Sequence, residues 1–294
     1  MKARRAVVLG AGGLLGGHLL RELERNEVSV TGFDRAACPL EDEVRVREAV
    51  AGADWVFNPA AFTDVDGSER RPEAAWAANA LGAENVARAT RDAGAPGAVV
   101  VHVSTDFVFD GALPRHYDEF DEPRPLSTYA RTKRAGELLV MAATPRHHVV
   151  RVQGLYGSGG RNFASKLRGL LRESKTGMRL DDERRVQPTY ARAAARALVV
   201  IAGSDRYGIW HASCRGETTW HRFALRLAER LGVAPSWQAV PSAALTLPAP
   251  RPPNCLLDNR RLALYGLAPL PTWEEALDEY LATDSTPPSA SQGT

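Results

Sequence analysis

The chain has 294 residues, 37 basic against 35 acidic side chains, and an apolar share of 44%. That composition suits one large globular α/β domain or two smaller ones with a sizeable core. It excludes a nucleic-acid-binding surface, where bases would cluster, and a membrane span, which needs ~20 apolar residues in a row.

Cys38, Cys214 and Cys255 are odd in number and far apart, so no disulfide framework is expected and the cytoplasm is the expected compartment. The seven histidines include the neighbours His147 and His148, but no spacing suits zinc, and no metal is expected.

The opening residues superficially resemble a signal peptide. The apolar run at 6–10 is too short for one and breaks into glycines, so it reads as a first strand. Further β-branched runs at 28–34, 54–60, 98–105 and 147–154 predict strands. Stretches at 14–25, 41–51, 72–94 and 127–143 predict helices between them. Such alternation, with nearly unbroken apolar strands, implies a parallel sheet covered on both faces. The expected fold is α/β, a Rossmann-type doubly wound sheet with right-handed crossovers.

After residue 157 the texture changes. A glycine-rich segment leads into a helix near 163–174, then a helix at 191–203 and a strand at 208–213. The remainder, 216–282, reads as helix and loop with many prolines. Residues 1–157 and 190–213 are expected to form a dinucleotide-binding domain. Residues 158–189 and 214–282 are expected to form a smaller, discontinuous substrate domain. The tail at 284–294 has the composition of a disordered end.

Gly10, Gly13 and Gly16, with Leu14 and Leu15 between the last two, follow a strand and open a helix. A pyrophosphate needs that tight turn, close backbone approach and free helix N–H groups. Asp34 ends the second strand, where an acid holds a ribose 2′-hydroxyl and favours NADH. The adjacent Arg35 suits the 2′-phosphate of NADPH. Either cofactor therefore remains open.

Tyr129 and Lys133 stand four residues apart, on one helix face. Only four residues of the chain are lysine: Lys2, Lys133, Lys166 and Lys175. Lys133 resists a strong arginine bias, which suggests a role that arginine cannot fill.

Several segments in order carry a resemblance: 10–16, 58–69, 75–87, 102–111, 129–133, 155–163, 186–191, 208–213 and 251–258. The sequence resembles the extended short-chain dehydrogenases/reductases, and within them the dTDP-4-dehydrorhamnose reductases and related nucleotide-sugar 4-ketoreductases. The resemblance implies that Tyr129 protonates a carbonyl oxygen as hydride arrives from NADPH or NADH. It implies that Lys133 lowers the Tyr129 pKa and holds the nicotinamide ribose. Thr105 would donate to the same oxygen, and Asn79 would position Lys133 through water. Ala60 and Ala61 would line the cofactor channel, with Leu40 near the adenine.

On the substrate side the resemblance implies a nucleotide-diphosphate sugar. Thr63, Val65, Thr105 and Phe107 would line the sugar pocket. Arg161, Asn162, Arg184, Arg185 and Arg251 are candidates for the diphosphate and base, since arginine pairs with phosphate in a bidentate way. Three positions depart from the family pattern. Phe107 replaces a tyrosine, while Gln153 and Gly154 replace a serine and a tryptophan, so an aromatic wall is expected to be missing. The resemblance thus implies the reaction type and leaves the sugar open. A homodimer is implied as well.

Relatives of other activity share the fold. A dehydratase needs a glutamate where Phe107 stands. An epimerase matches the segments less well. A non-catalytic subunit like the regulator of methionine adenosyltransferase would not need Thr105, Tyr129 and Lys133 together.

Overall fold

The computed structural model describes residues 4–160, 162–172 and 177–283. In chain order the first half runs β1 (Arg5–Leu9), α1 (Leu14–Arg25), β2 (Ser29–Phe33), α2 (Glu43–Val50), β3 (Trp55–Asn58), α3 (Val65–Arg70) and α4 (Pro72–Trp76), then a π turn (Ala77–Leu81), α5 (Gly82–Ala93), β4 (Val99–Thr105), α6 (Thr128–Ala143) and β5 (His147–Val152). The second half runs β6 (Leu155–Tyr156), α7 (Phe163–Arg172), β7 (Arg179–Asp181), β8 (Thr189–Tyr190), α8 (Ala191–Ala202) and β9 (Gly208–His211), then α9 (Trp220–Arg230), β10 (Gln238–Val240), α10 (Arg260–Leu264) and α11 (Trp273–Thr283).

Six strands form one parallel sheet in the order β2-β1-β3-β4-β5-β9. Alternate side chains take opposite faces. Ala6, Val8, Phe57 and Val101 pack with Leu19 of α1 and Leu198 of α8. Val7, Leu9, Val56 and Val100 pack with Val46 of α2, Val86 of α5 and Val140 of α6. The strand order reverses at β1, with β2 on one side and β3 on the other. A crevice therefore opens beyond the carboxyl ends of β1 and β3, where such sheets take ligands.

Side-chain caps set several helix starts. Asp42 accepts from Val44 and Arg45 at the start of α2, Asp64 from Gly67 in α3, and Ser127 from Ala130 in α6. Each such cap contributes about 1 kcal/mol.

The expected helix at 72–94 is broken by the π turn. There the Asn79 carbonyl approaches α6 so closely that a Cβ on Gly136 would lie 2.1 Å from its oxygen. The helix widens at the point where it meets a glycine on its neighbour. Helix α3 was not expected. Its polar sequence carries no apolar period, and the Asp64 cap starts it.

The expected split into two domains is not marked by a break in the core. One apolar cluster runs from the α1/α8 face of the sheet through Tyr156 and Tyr190 to Phe223, Trp273 and Tyr280. The segment between β4 and α6 packs on residues 251–258, with Tyr117 N–H donating to the Leu256 carbonyl at 2.8 Å and Asp258 N–H to the Tyr117 carbonyl at 2.7 Å. Among the described residues no helix is long and apolar enough to cross a membrane.

Candidate active site

A cleft of about 940 Å³ fills the crevice. Its floor is the glycine turn. Gly10 has φ +87°, and a Cβ there would lie 2.9 Å from Ala60. A Cβ on Gly16 would lie 2.2 Å from the Gly10 carbonyl oxygen, so α1 and the turn meet at a distance only glycine permits. The N-cap of α1 is Gly13, which offers no capping side chain, and the first turn holds no acid. This cradle fits a pyrophosphate, which would take the uncapped N–H groups.

Asp34 and Arg35 both line the cleft beyond β2. The Asp34 carboxylate accepts from Ala37 N–H at 2.9 Å and so shapes the loop. Arg35 is 80% exposed and reaches Glu41 at only 3.7 Å, which leaves its guanidinium available. Leu40, Ala60, Ala61, Leu14, Leu15 and Thr63 line the cleft as well.

Ser127 starts α6 so that Tyr129 falls in its first turn and Lys133 one turn later, both facing the cleft. Thr105 is the last residue of β4. Its hydroxyl lies near the Tyr129 phenol, and Phe107 packs its ring edge-on to Tyr129 at 6.3 Å between centroids. Burial pushes the Tyr129 phenol up to about 12, with the nearby Thr105 hydroxyl acting the other way.

Lys133 makes its bonds to β4 rather than to Tyr129. Its Nζ donates to the Val103 carbonyl at 2.7 Å and stands 3.5 Å from His102 Nε2, on the sheet side of α6. Burial lowers the Lys133 pKa to about 8, while Glu137 opposes that shift. Glu137 is itself held by Arg151 through two bonds of 2.9 Å, and both side chains are fully buried.

Asn79 is buried in bonds of its own. It donates to Thr132 Oγ1 at 3.0 Å and to the Phe62 carbonyl at 3.2 Å, and accepts from Phe62 N–H at 2.8 Å. It ties the loop after β3 to the residue before Lys133, with no bond to Lys133 itself.

Among the substrate candidates, Asn162 lines the cleft and holds the entry to α7 by accepting from Ser165 N–H at 3.1 Å. Val65 is half-buried at the start of α3. Arg184, Arg185 and Arg251 do not line the cleft. Arg184 binds Asp181 at 2.6 Å, Arg185 pairs with Glu217, and Arg251 binds Asp66 of α3 at 2.7 Å. A nearby carboxylate neutralises each. Arg161 lies outside the described residues.

Gln153 is a clear correction. It is buried and holds three structural bonds: to Asp106 at 2.7 Å, to the Cys255 carbonyl at 2.8 Å and from Gln187 N–H at 2.5 Å. No hydrogen of its amide is left for a sugar. Gly154 has φ +54° as expected of a glycine, yet its face is not open. A Cβ there would meet the Trp220 ring at 3.2 Å, so an indole from α9 occupies the place where a wall was expected to be missing.

Residues 4–286 match the family described as the RmlD substrate binding domain. The chain belongs to the RmlD family. It is similar to the dTDP-4-dehydrorhamnose reductase of Streptomyces griseus, at 39% identity over 94% of this chain and 92% of that one. A relative from Streptomyces antibioticus, named as a probable dTDP-4,6-dihydroxy-2-methyloxan-3-one 4-ketoreductase, is 35% identical over 94% of each chain. Among solved structures, a Bacillus anthracis dTDP-4-dehydrorhamnose reductase in complex with NADP superposes with a TM-score of 0.90 at 30% identity, covering 95% of this chain and 99% of that one.

Two further polar residues belong to this RmlD-family site: Ser104 lines the cleft, and His102 is buried beside Lys133. His102 and Ser104 interrupt the valine run of β4 at every second position, and so share the face turned to α6. Polar residues at period two inside a buried strand were the available signal. Asp106 had none, since only the fold brings Gln153 against it. Among the described residues no cluster of His, Cys, Asp or Glu suits a metal ion.

Proposed function

We propose that this chain reduces the 4-keto group of a dTDP-linked deoxysugar with NADPH or NADH. The supporting observation is the placing of the Thr105 hydroxyl next to the Tyr129 phenol at the carboxyl edge of β4, beside the cleft with the glycine cradle. The nicotinamide, when bound, supplies the hydride. Tyr129 gives its proton to the carbonyl oxygen, and Thr105 donates to that same oxygen. Lys133 holds the nicotinamide ribose. Gly10, Gly13, Leu14, Leu15 and Gly16 hold the pyrophosphate, Leu40 borders the adenine, and Ala60 and Ala61 keep the channel open.

Residues 158–189 and 214–282 form the substrate-holding half. Thr63, Val65, Phe107 and Asn162 lie on the substrate side, with Trp220 over Gly154. The two relatives above are named for different 4-ketosugars. The test is oxidation of NADH and NADPH, followed by absorbance, against a panel of dTDP-4-ketosugars. Tight NADPH binding without turnover of any of them would sink this reading.

Arg35 is exposed beside Asp34, and we assign it the 2′-phosphate of NADPH. Arg35→Ala is expected to raise the KM for NADPH about tenfold, equivalent to ~1.4 kcal/mol, and to leave that for NADH within about twofold. Equal effects on both cofactors would remove Arg35 from that role.

The three cysteines are buried and unpaired, which fits a reducing cytoplasm. The resemblance carries the homodimer, for which light scattering should give about twice the chain's 31.9 kDa. A monomer at micromolar concentration would reject it.

A further inference from the structure

Asp106 follows Thr105 directly and is buried, yet the reaction outlined above does not use it. Its surroundings fix the position of every nearby hydrogen. Gln187 N–H is a backbone donor, so the Gln153 oxygen must face it, at 2.5 Å. Both amide hydrogens of Gln153 then go to Asp106 Oδ2, at 2.7 Å, and to the Cys255 carbonyl, at 2.8 Å. Oδ2 must therefore present a lone pair. A carbonyl oxygen accepts better than a carboxyl hydroxyl oxygen, so a proton on Asp106 is favoured on Oδ1, which lies 3.0 Å from the Thr105 hydroxyl oxygen.

Thr105 is constrained in the same way. Phe107 N–H, another backbone donor, occupies one lone pair of its oxygen at 3.2 Å. One hydrogen and one lone pair remain. One is engaged by Asp106 Oδ1, and the other is left facing the nearby Tyr129 phenol. Only two arrangements exist. With Asp106 ionised, Thr105 donates to Asp106 and turns its lone pair to Tyr129. With a proton on Oδ1, Asp106 donates to Thr105, and the Thr105 hydrogen points toward Tyr129 and the reacting oxygen.

We propose that Asp106, oriented by Gln153, sets the direction of the Thr105 hydroxyl and makes the site competent when it carries a proton. This rests on the reductase reading of the same site. Asp106 and Gln153 are positioning residues, and neither touches the sugar. When Tyr129 gives its proton to the carbonyl oxygen, the resulting phenolate needs a donor. Once the reacting oxygen has taken that proton, the outward-turned Thr105 hydroxyl is free to become that donor. The Asp106 proton stays on its own oxygen and bonds to Thr105, so no further acid or oxidant is required.

The titratable groups that face Asp106 are the Tyr129 phenol from α6 and the Cys255 thiol from the 251–258 segment. The nearby Lys133 ammonium is turned to the Val103 carbonyl on β4. Burial pushes the Asp106 carboxyl up to about 7, while the bonds from Gln153 and Thr105 pull it back. A proton is thus held or lost close to neutrality. Because the protonated form is the competent one, activity should fall as pH rises through that value. The chain of bonds also ends on Gln187 and Cys255, one in each of the two segments assigned to the substrate-holding half.

The test compares pH profiles of kcat at saturating NADPH and ketosugar for three proteins, alongside the infrared band of a neutral buried carboxyl in the same samples without substrate. The wild-type protein should show a limb falling with rising pH near neutrality, and a carboxyl band titrating with it. Gln153→Leu removes a donor to the charged form, so limb and band should both move up by about one to two pH units.

Asp106→Asn can donate permanently to Thr105. It should keep kcat within about threefold of the low-pH wild-type value, flatten the limb and abolish the band. A limb that persists in Asp106→Asn, or one that stays in place in Gln153→Leu, would overturn the proposal. The band is read without turnover. Absence of wild-type turnover together with a titrating band would therefore reject the reductase reading alone, whereas a band absent from wild type at every pH would reject the Asp106 assignment. Should Asp106→Asn fail to fold, the Gln153→Leu shift decides by itself.

Discussion

Replacing Tyr129 by Phe is expected to lower kcat by about 100-fold or more and to leave the KM for the cofactor within about twofold, because general acid catalysis contributes at least about that factor. The change removes one oxygen and keeps the ring. Its edge-on contact with Phe107, at 6.3 Å between centroids, survives, so folding should too. What disappears is the proton donor beside the Thr105 hydroxyl. Burial holds the wild-type phenol near 12, so it stays protonated through neutral pH, as an acid in a reduction must be. Its ionised form is then costly, which places the demand for stabilisation on the Thr105 hydroxyl. Initial rates of NADPH oxidation with the best ketosugar check this. A rate within about twofold of wild type would mean that Tyr129 is not the acid.

The second large effect concerns stability. Glu137→Leu should destabilise the fold by about 3–5 kcal/mol, since it leaves the buried Arg151 guanidinium without its carboxylate. Arg151 also stacks 5.0 Å over the Phe109 ring, which holds it in place and blocks its escape to water. Substituting both partners, as in Glu137→Leu with Arg151→Met, should recover much of the loss, because neither charge is then stranded.

The same pair predicts an acid limit. Burial favours the neutral carboxyl, but the Arg151 charge and bonds win and hold Glu137 down at about 2. An unfolded glutamate titrates near ~4.3. The pair's contribution is therefore complete above that value and is lost as pH falls from there toward about 2. Urea unfolding between neutral pH and about pH 3 checks both points. A wild-type midpoint flat across that range, or a single variant as stable as wild type, would contradict them.

Much of this site was legible in the residue order. The glycine turn, the acid at the end of the second strand and the Tyr129–Lys133 spacing all stand in the cleft together. Each is a short-range pattern, set by a turn, a strand end or one turn of helix. Expectation and structure part where a side chain has two available destinations. Lys133 was expected to act on Tyr129 one turn away, and instead it takes the Val103 carbonyl on β4. The arginines expected on phosphate sit against Asp181, Glu217 and Asp66.

By itself the sequence determined the alternation of strands and helices, the phosphate cradle and the face on which acid and lysine lie. These follow from local geometry: period two in a strand, 3.6 in a helix, and the positions where only glycine fits. Only the tertiary structure decided which groups are paired. Gln153 meets a carbonyl 102 residues away, and Arg251 meets a carboxylate 185 residues away. Such partners are chosen by the packing of whole layers. A buried polar group must bond to whatever that packing brings within reach, because leaving it unpaired costs about 1–3 kcal/mol.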